Sequence, residues 1–383
     1  MSGKPAMTSR QRVTAAINHQ EPDRMPIDVG MYTATGISAF AYWNLREHLG
    51  LPVESVELVD GVQVLARIDE DILKLFHSDC VFLKPQAENY WLWNPRGKYQ
   101  FKVPDYYQPA INSKGEWVIT RGEKSMRMPE GGYFFDGDWL NMEANWQEPH
   151  FSALAREAER LYKETDYFVT FRAFHPYFEA DIDYFCDMIT DPERLIEQNA
   201  TILKSQLENA AKFIDTMGRY VGAVSMSGDL GSQAGPMLRP ETFEQVSAPF
   251  LKQFCKFMHQ NSDCKVFLHC CGAIEPLLPI LIDCGIDIIN PVQVSAAGMD
   301  PQTLKDKYGK DITFWGGGVD TQRVLNMKQP HEVAENVKHL TDIFKPGGGY
   351  VFSPVHNIVG DISPENIVAV YEAAYGNSLY RSK

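Results

Sequence analysis

The chain has 383 residues, of which 44% are hydrophobic and 22% charged. This composition is typical of a packed globular protein, and the length suffices for one large α/β barrel. A formal net charge of −14 argues against nucleic acid or an anionic membrane as the main partner. Seven dispersed cysteines show no small disulfide framework. Their pattern favours reduced thiols in a cytoplasmic protein. The amino terminus is polar and no long apolar run is present, so we expect neither a signal peptide nor a membrane helix.

Turn signals and short apolar segments define the first predicted elements. A helix is predicted over residues 9–19 and, after a Pro-Asp-Arg turn, a first strand over 25–29. A second helix is predicted over 42–51 and a strand over 79–83. We count these segments as the first two strand–helix units of the fold.

The segment of about 86–148 is unusually rich in aromatic residues and in turn signals such as Asn94–Gly97 and Pro129–Gly132. This pattern predicts antiparallel hairpins inserted into a larger fold that spans residues 1–383 as a single domain. Two interpretations stay open: the aromatic side chains pack the insertion, or some line a substrate pocket. These residues are Tyr90, Trp91, Trp93, Tyr99, Phe101, Tyr106, Tyr107, Trp117, Tyr133, Phe134, Phe135, Trp139 and Trp146.

From residue 166 onward, apolar strands alternate with helical segments, which indicates a parallel sheet covered by helices. Six such units follow the two earlier ones, so the predicted fold is an α/β protein of the (β/α)8 TIM-barrel type with an inserted aromatic-rich hairpin region. The strands are predicted at 167–171, 220–226, 265–270, 286–290, 311–316 and 349–353. The helices are predicted near 191–216, 240–261, 273–284, 301–308, 329–344 and 363–375.

Active sites of such barrels lie at the carboxyl ends of the strands. Five successive predicted strands are followed there by polar or glycine residues, which packing alone explains poorly. We therefore expect one functional rim. Its candidate residues are Asp229, His269, Cys271, Gln293, Gly316, Gly317, Gly318, Asp320 and His356.

The pair His269 and Cys271 is the most specific signal in the chain. Side chains along a strand alternate between faces, so these two point the same way and supply half of a zinc site. His356, after the last strand, is the natural third ligand. The alternatives are a buried strand with cysteines acting as small hydrophobes, and a loop histidine bonded to backbone. Asp229 is a candidate fourth ligand or general base, or it orients a neighbouring loop.

The other candidates of the rim are weaker. Gly316–Gly318 could let backbone approach a large cofactor, or could form a turn. Gln293 and Asp320 are assigned to the same cofactor-binding region, although Asp320 could instead cap the next helix. His175 could reach the rim, whereas the histidines of the predicted helices are expected on solvent faces.

Several of these motifs together resemble the uroporphyrinogen decarboxylase superfamily, whose fold is an eight-stranded (β/α) barrel. They are Gly228–Gln233, His269–Gly272, Phe314–Asp320, Ser353–Asn357 and Asp361–Asn366. True decarboxylases of that superfamily carry a Met-Arg-Gln-Ala-Gly-Arg segment after the first strand, which helps bind the substrate's carboxylates. The corresponding stretch here, Val29–Gly36, holds no arginine, so decarboxylation of that porphyrinogen is not expected.

The His-x-Cys motif resembles instead the zinc- and corrinoid-dependent methyltransferases of the superfamily, whose third ligand is usually a cysteine. That position is His356 here, and a His/Cys/His set suits zinc but carries less negative charge. The resemblance implies methyl transfer between a small O-, S- or N-methyl substrate and a corrinoid on a partner protein, with zinc as Lewis acid. Asp229 and His269 are the catalytic candidates. An aryl methyl ether would suit the aromatic insertion, and a homodimer is expected.

Two other functions remain open at this point. One is a metal-free decarboxylase or lyase of the same superfamily that uses Asp229 as acid or base. The other is a non-catalytic binder of a corrinoid or tetrapyrrole. Metal content separates the methyltransferase from both.

Overall fold

The computed structural model describes residues 6–31, 33–84, 87–138, 148–179 and 181–378, so Trp139 and Trp146 of the aromatic segment lie outside the described residues. The strands are β1 Val56–Asp60, β2 Leu65–Ala66, β3 Cys80–Leu83, β4 Tyr90–Trp93, β5 Phe101–Pro104, β6 Ala110–Ile111, β7 Trp117–Arg121, β8 Lys124–Met128, β9 Asp136–Gly137, β10 Phe168–Phe174, β11 Ala223–Ser227, β12 Lys265–His269, β13 Ile288–Asn290, β14 Thr313–Trp315 and β15 Tyr350–Val351. The helices are α1 Ser9–Ile17, α2 Ala39–His48, α3 Glu70–Leu75, α4 Glu148–Glu164, α5 Ile182–Thr190, α6 Pro192–Met217, α7 Pro240–Val246, α8 Ala248–Asn261, α9 Leu278–Cys284, α10 Pro301–Tyr308, α11 Pro330–Phe344 and α12 Pro364–Tyr375.

Seven strands form one parallel sheet in the order β15-β14-β13-β12-β11-β10-β3. The six strands predicted after residue 166 are all present, and helices separate them as expected. Neighbouring strands end level with one another, since Ser227 pairs with His269 and His269 pairs with Asn290. The α/β class with a parallel sheet is therefore confirmed, and its carboxyl edge gathers the ends of successive strands.

The predicted first strand, 25–29, is reduced to a single parallel bridge between Ile27 and Phe352. Pro26 has no N–H to donate to a ladder, but its carbonyl accepts from Phe352 N at 2.9 Å, and Asp28 N donates to Phe352 O at 2.8 Å. On the other side, Asp79 N donates to Ile27 O at 2.7 Å. The segment thus contacts the chain at both edges of the sheet.

A buried ion-pair network around Asp79 fixes this segment. Asp79 is fully buried and accepts from the guanidinium groups of Arg12 and Arg24, each at 2.7 Å. Its carboxylate also accepts from Ile27 N at 2.9 Å. The network ties α1 and the turn before Pro26 to the start of β3.

One face of the parallel sheet carries a separate cluster of buried side chains. Each of the seven strands contributes one residue, and Phe168, Phe267 and Trp315 are the largest. Rings of Phe267 and Trp315 pack edge to face with centroids 5.5 Å apart. Because side chains alternate, residues two positions later on the same strands lie on this face, one layer nearer the carboxyl edge.

The aromatic segment forms antiparallel pairs, with β4 against β5 and β6 to β9 in a four-stranded sheet. Some of its rings pack on one another: Trp93 lies 5.3 Å from Trp117 and 5.9 Å from Phe135 between ring centroids. Others pack on α2, as Phe101 does on Phe40 at 5.0 Å. β5 also pairs in parallel with β1, which precedes the predicted insertion. That pairing joins the segment to residues 56–66, for which the sequence predicted no strand.

Proline positions account for two differences in helix boundaries. The predicted helix 240–261 is divided into α7 and α8 at Ser247, and Pro249 occupies the first turn of α8, where proline is tolerated. The predicted helix 273–284 starts as a 3-10 turn at Glu275–Leu277 before α9. No helix in the described ranges is both long and apolar enough to cross a membrane.

Candidate metal centre

The structure brings His269, Cys271 and His356 together at the carboxyl edge of the sheet. One ligand atom from each lies within 4.8 Å of the other two. Cys271 Sγ is 3.3 Å from His269 Nε2, and the two imidazole rings have centroids 5.8 Å apart at 67°. The cluster lies above the buried inner cluster because His269 follows Phe267 by two positions on β12.

Asn290 determines which nitrogen of His269 carries the proton. The Asn290 amide donates from Nδ2 to Trp315 O at 2.9 Å, and that carbonyl can only accept. Asn290 Oδ1 therefore faces His269 Nδ1 at 2.7 Å and accepts its proton in a hydrogen bond. The lone pair of His269 Nε2 is left pointing toward Cys271, which is the tautomer and orientation a metal ligand requires.

Burial sets the charge of both imidazoles. It lowers the pKa of His269, and it lowers the pKa of His356 to about 4, with the nearby His269 adding to the shift. Both rings are therefore neutral at pH 7, as metal ligation demands. Burial raises the pKa of the Cys271 thiol well above its ordinary value, and the charge of Asp229 raises it further. A bound cation would reverse that balance and hold the thiolate.

Asp229 lies beside the cluster and orients its loop. Its Oδ1 accepts from Cys271 N at 2.8 Å and is 3.9 Å from His269 Nε2, and 44% of the side chain is exposed. Gln293 Oε1 accepts from Gly272 N at 2.9 Å. Gly272 has φ +92, and a Cβ there would lie 2.3 Å from the backbone of Gly231. The Cys271 loop is thus held from both sides and accommodates only glycine at its turn.

Asn357 holds the loop that carries His356. Its Oδ1 accepts from Gly36 N at 2.7 Å, and its Nδ2 donates to Thr33 O at 2.9 Å and to Gln63 Oε1 at 2.7 Å. The loop after β15 is therefore tied to residues 33–36 and to the connection between β1 and β2. The sequence analysis included Asn357 only as part of a motif and missed this role.

The glycine run beyond β14 is covered by the protein itself. A Cβ at Gly317 would lie 2.9 Å from Val292, and one at Gly318 would lie 2.2 Å from the Phe352 ring. Asp320 Oδ1 accepts from the backbone N of Gln322 and Arg323 within a turn, whereas the next helix, α11, is capped by Gln329, so the interpretation of Asp320 as its cap is wrong. The assigned cofactor-binding role of Gly316–Gly318, Asp320 and Gln293 stays a prediction.

Other histidines and one groove of the protein lie outside the cluster. His175 Nε2 is 2.8 Å from Glu179, and Nδ1 accepts from Tyr177 N, so its own loop occupies the ring. The histidines of α8 and α11 are exposed, as expected. A groove of about 880 Å³ opens at the amino ends of β10 and β12, the end that serves stability rather than catalysis in barrels.

Arg172 is a residue of this region that the sequence analysis missed. It follows Phe168 by four positions on β10, on the inner face of the sheet, and pairs in register with Ser225 of β11. Burial is the main cause of the lowered pKa of His269, Asp229 and Asn290 oppose it, and the charge of Arg172 is the last of the causes and lowers the pKa. The signal available in the sequence was a lone arginine near the end of a predicted apolar strand.

Comparisons with known proteins identify the family of the chain and a solved structure of similar fold. Residues 184–376, half of the chain, match the family described as uroporphyrinogen decarboxylase (URO-D). A solved structure of a methyltransferase from Methanosarcina mazei is similar in fold, with a TM-score of 0.57 and 17% identity over 97% of this chain and 99% of that chain. A search of curated protein sequences finds no match. The chain belongs to the uroporphyrinogen decarboxylase family.

Proposed function

We propose that the protein is a zinc-dependent methyltransferase that moves a methyl group between a small methylated substrate and a corrinoid carried by a partner protein. The observation that carries the proposal is the cluster of His269, Cys271 and His356, in which both imidazoles are neutral and the Nε2 lone pair of His269 is directed at the cluster. The similar structure from Methanosarcina mazei is a methyltransferase, which supports this reaction class. The absence of arginine from Val29–Gly36 counts against the decarboxylase reaction.

The donor set fits zinc. Two imidazole nitrogens and one thiolate are ordinary zinc ligands, and three protein ligands leave a fourth position for substrate. Bonds of about 2.0–2.3 Å in a tetrahedral site separate ligand atoms by roughly 3.3–3.8 Å. The 3.3 Å between Cys271 Sγ and His269 Nε2 matches that range. Zinc bound there would act as a Lewis acid on the heteroatom that carries or receives the methyl group.

The chain's own residues would orient and charge this site. Asn290 holds the His269 ring by its Nδ1–H, and Asn357 holds the loop of His356. Asp229, half-exposed beside Cys271, could take up or deliver a proton at the substrate heteroatom without leaving its hydrogen bond to Cys271 N. In this proposal the two amides orient the histidines, and the carboxylate of Asp229 transfers the proton.

We also propose that the fold is a closed (β/α)8 barrel. The bonds that residues 26–28 make to Phe352 and Asp79 support an eighth, short strand at the seam. Within it, residues of about 86–148 would be the inserted region. Tyr107 lies against Gly61 and Tyr133 against Gly360, so this region borders the loops around Asn357. The expected homodimer stays a prediction, which light scattering of the purified protein checks.

Metal analysis tests the function. We expect about one zinc per chain in protein purified under reducing conditions, lost in Cys271→Ala and in His356→Ala. Cys270→Ala is the matched control, because this neighbouring thiol is buried and accepts from Leu230 N. Wild-type protein that takes up no zinc on reloading would refute the proposal and direct attention to a metal-free lyase or a tetrapyrrole binder.

A further inference from the structure

We propose that the groove at the amino ends of β10 and β12 binds a small phosphorylated molecule, with Arg10 and Arg219 as the residues that bind its phosphate. The groove has a volume of about 880 Å³, and both arginines line it. It lies at the end of the sheet opposite the metal centre, since Lys265 in its wall begins β12 and His269 ends that strand. The inference therefore goes beyond the proposed function and does not depend on it.

Arg10 is held in a fixed orientation and keeps two unbonded donors. Its Nε donates to Tyr167 O at 3.3 Å, and its Nη2 donates to Tyr162 O at 2.9 Å and to Thr165 O at 2.8 Å. These carbonyls lie at the carboxyl end of α4 and just beyond it, so the guanidinium caps that helix. In the parts of the chain that the structure describes, the two N–H groups of Nη1 have no acceptor. A phosphate oxygen is an acceptor that suits such a fixed and charged edge.

The two arginines belong to one cluster with two tyrosines. Arg10 Cζ lies 4.1 Å from the centroid of the Tyr162 ring, and Arg219 Cζ lies 4.7 Å from that of Tyr220. The two rings are in contact, with centroids 5.5 Å apart. Among the described residues, neither guanidinium has a carboxylate within ion-pair distance. Two cations thus lie on adjoining rings, and stacking rather than an ion pair holds Arg219.

The carboxylates around the groove leave positive charge in excess. Asp287 of the wall pairs with Lys265 at 3.3 Å. Glu159, which accepts from the Tyr220 hydroxyl, pairs with Lys163 at 2.7 Å. Asp263 is the other carboxylate among the described residues that line the groove, and it offsets one of the two arginines. A positive charge therefore remains in a chain whose net charge is −14, and an anionic ligand compensates it.

The size and surface of the groove favour an organic phosphate over the inorganic ion. Sites for small molecules commonly have volumes of about 300–1,000 Å³, and the groove falls in that range. Ile17 and Ile214 add apolar surface to its wall. The Tyr162 ring, 40% exposed, adds an aromatic surface beside Arg10. The phosphate would bind to the arginines, and the organic part of the ligand would cover these side chains.

Three probes that share or lack a phosphate test the site. We would titrate the purified protein with adenosine 5′-monophosphate, adenosine and inorganic phosphate by calorimetry, in wild type, Arg10→Met and Arg219→Met. We expect wild type to bind the nucleotide at least tenfold more tightly than adenosine, and more tightly than inorganic phosphate. Each variant should lose most of the preference for the nucleotide over adenosine. Arg160→Met is the matched control, because this arginine of α4 already pairs with Glu157 at 2.7 Å and with Glu164 at 3.4 Å, and its affinities should equal those of wild type.

The outcomes are specific to the groove. Equal affinity of wild type for nucleotide and adenosine, no binding at millimolar concentration, or equal affinities in all four proteins would overturn the site. Equal affinity for nucleotide and inorganic phosphate would overturn the organic ligand class. Melting temperatures are measured because Arg10 caps α4; if Arg10→Met does not fold, Arg219→Met decides, since that side chain is exposed. Zinc content should not change in either variant, so a failure of the proposed methyl transfer leaves this test intact.

Discussion

Replacing Asn290 by alanine should weaken zinc binding without removing a ligand. The change takes away the acceptor of the His269 Nδ1–H and the donor to Trp315 O, both fully inside the protein. The imidazole is then free to rotate and to move its proton to Nε2, the nitrogen that must ligate. Loss of such a supporting partner typically lowers metal affinity about 10- to 100-fold, which is roughly 1.4–2.8 kcal/mol.

A control variant separates the loss of zinc affinity from a general loss of stability. Asn199 is a matched control, because it too is buried and donates from Nδ2 to two carbonyls, Tyr177 O and Val246 O. Each alanine variant should lose about 1–3 kcal/mol of unfolding free energy from unpaired buried groups. Only the variant at position 290 should also lose zinc affinity.

Competition with a chromogenic chelator measures the zinc affinity of both variants, and urea unfolding measures their stability. Equal zinc affinity in wild type and Asn290→Ala would refute the reasoning about the tautomer. An equal loss of affinity in Asn199→Ala would attribute the effect to general destabilisation instead.

Four further predictions follow from the same contacts. In metal-stripped protein, the pKa of His356 is about 4 in the folded state against 6.5 in the unfolded state. The free energy of unfolding should therefore be highest above pH 6.5 and fall by about 3 kcal/mol as the pH drops to 4. Urea unfolding at several pH values checks this, and the same pH dependence of stability in His356→Gln would contradict it. Gly272→Ala should lower the melting temperature because its φ is +92 and its Cβ would meet backbone, whereas Gly235→Ala, with open space around it, should not; equal melting temperatures would disprove the strain. Asp79→Ala should cost about 3 kcal/mol of unfolding free energy, since it removes the fully buried carboxylate that binds both arginines, although Arg12 keeps Asp23 as a partner and Arg24 is only partly buried; a loss under 1 kcal/mol in denaturant unfolding would argue against the network. Asn357→Ala should lower zinc affinity severalfold with the three ligands intact, and an unchanged chelator titration would remove the role of that loop.

Much of the site was predictable because it depends on local periodicity. The period of two along a strand places His269 and Cys271 on one face, whatever surrounds them. The alternation of apolar strands with helices predicted the parallel sheet, and a parallel sheet carries the ends of all its strands to one edge. Together these rules predicted that His356 lies at the same edge of the sheet as His269, although 87 positions separate the two in the sequence.

Contacts between residues that are remote in sequence were decided only by the tertiary structure. The amide of Asn290 selects the His269 tautomer through Trp315 O, and the side chain of Asn357 joins the last strand's loop to Gly36. No local pattern encodes such pairings, because each depends on which polar groups burial leaves without water. The inward direction of Arg172 at a bulge has the same origin. The sequence by itself determined the candidate ligand types and the edge where they meet, and packing determined their protonation, orientation and charged neighbours.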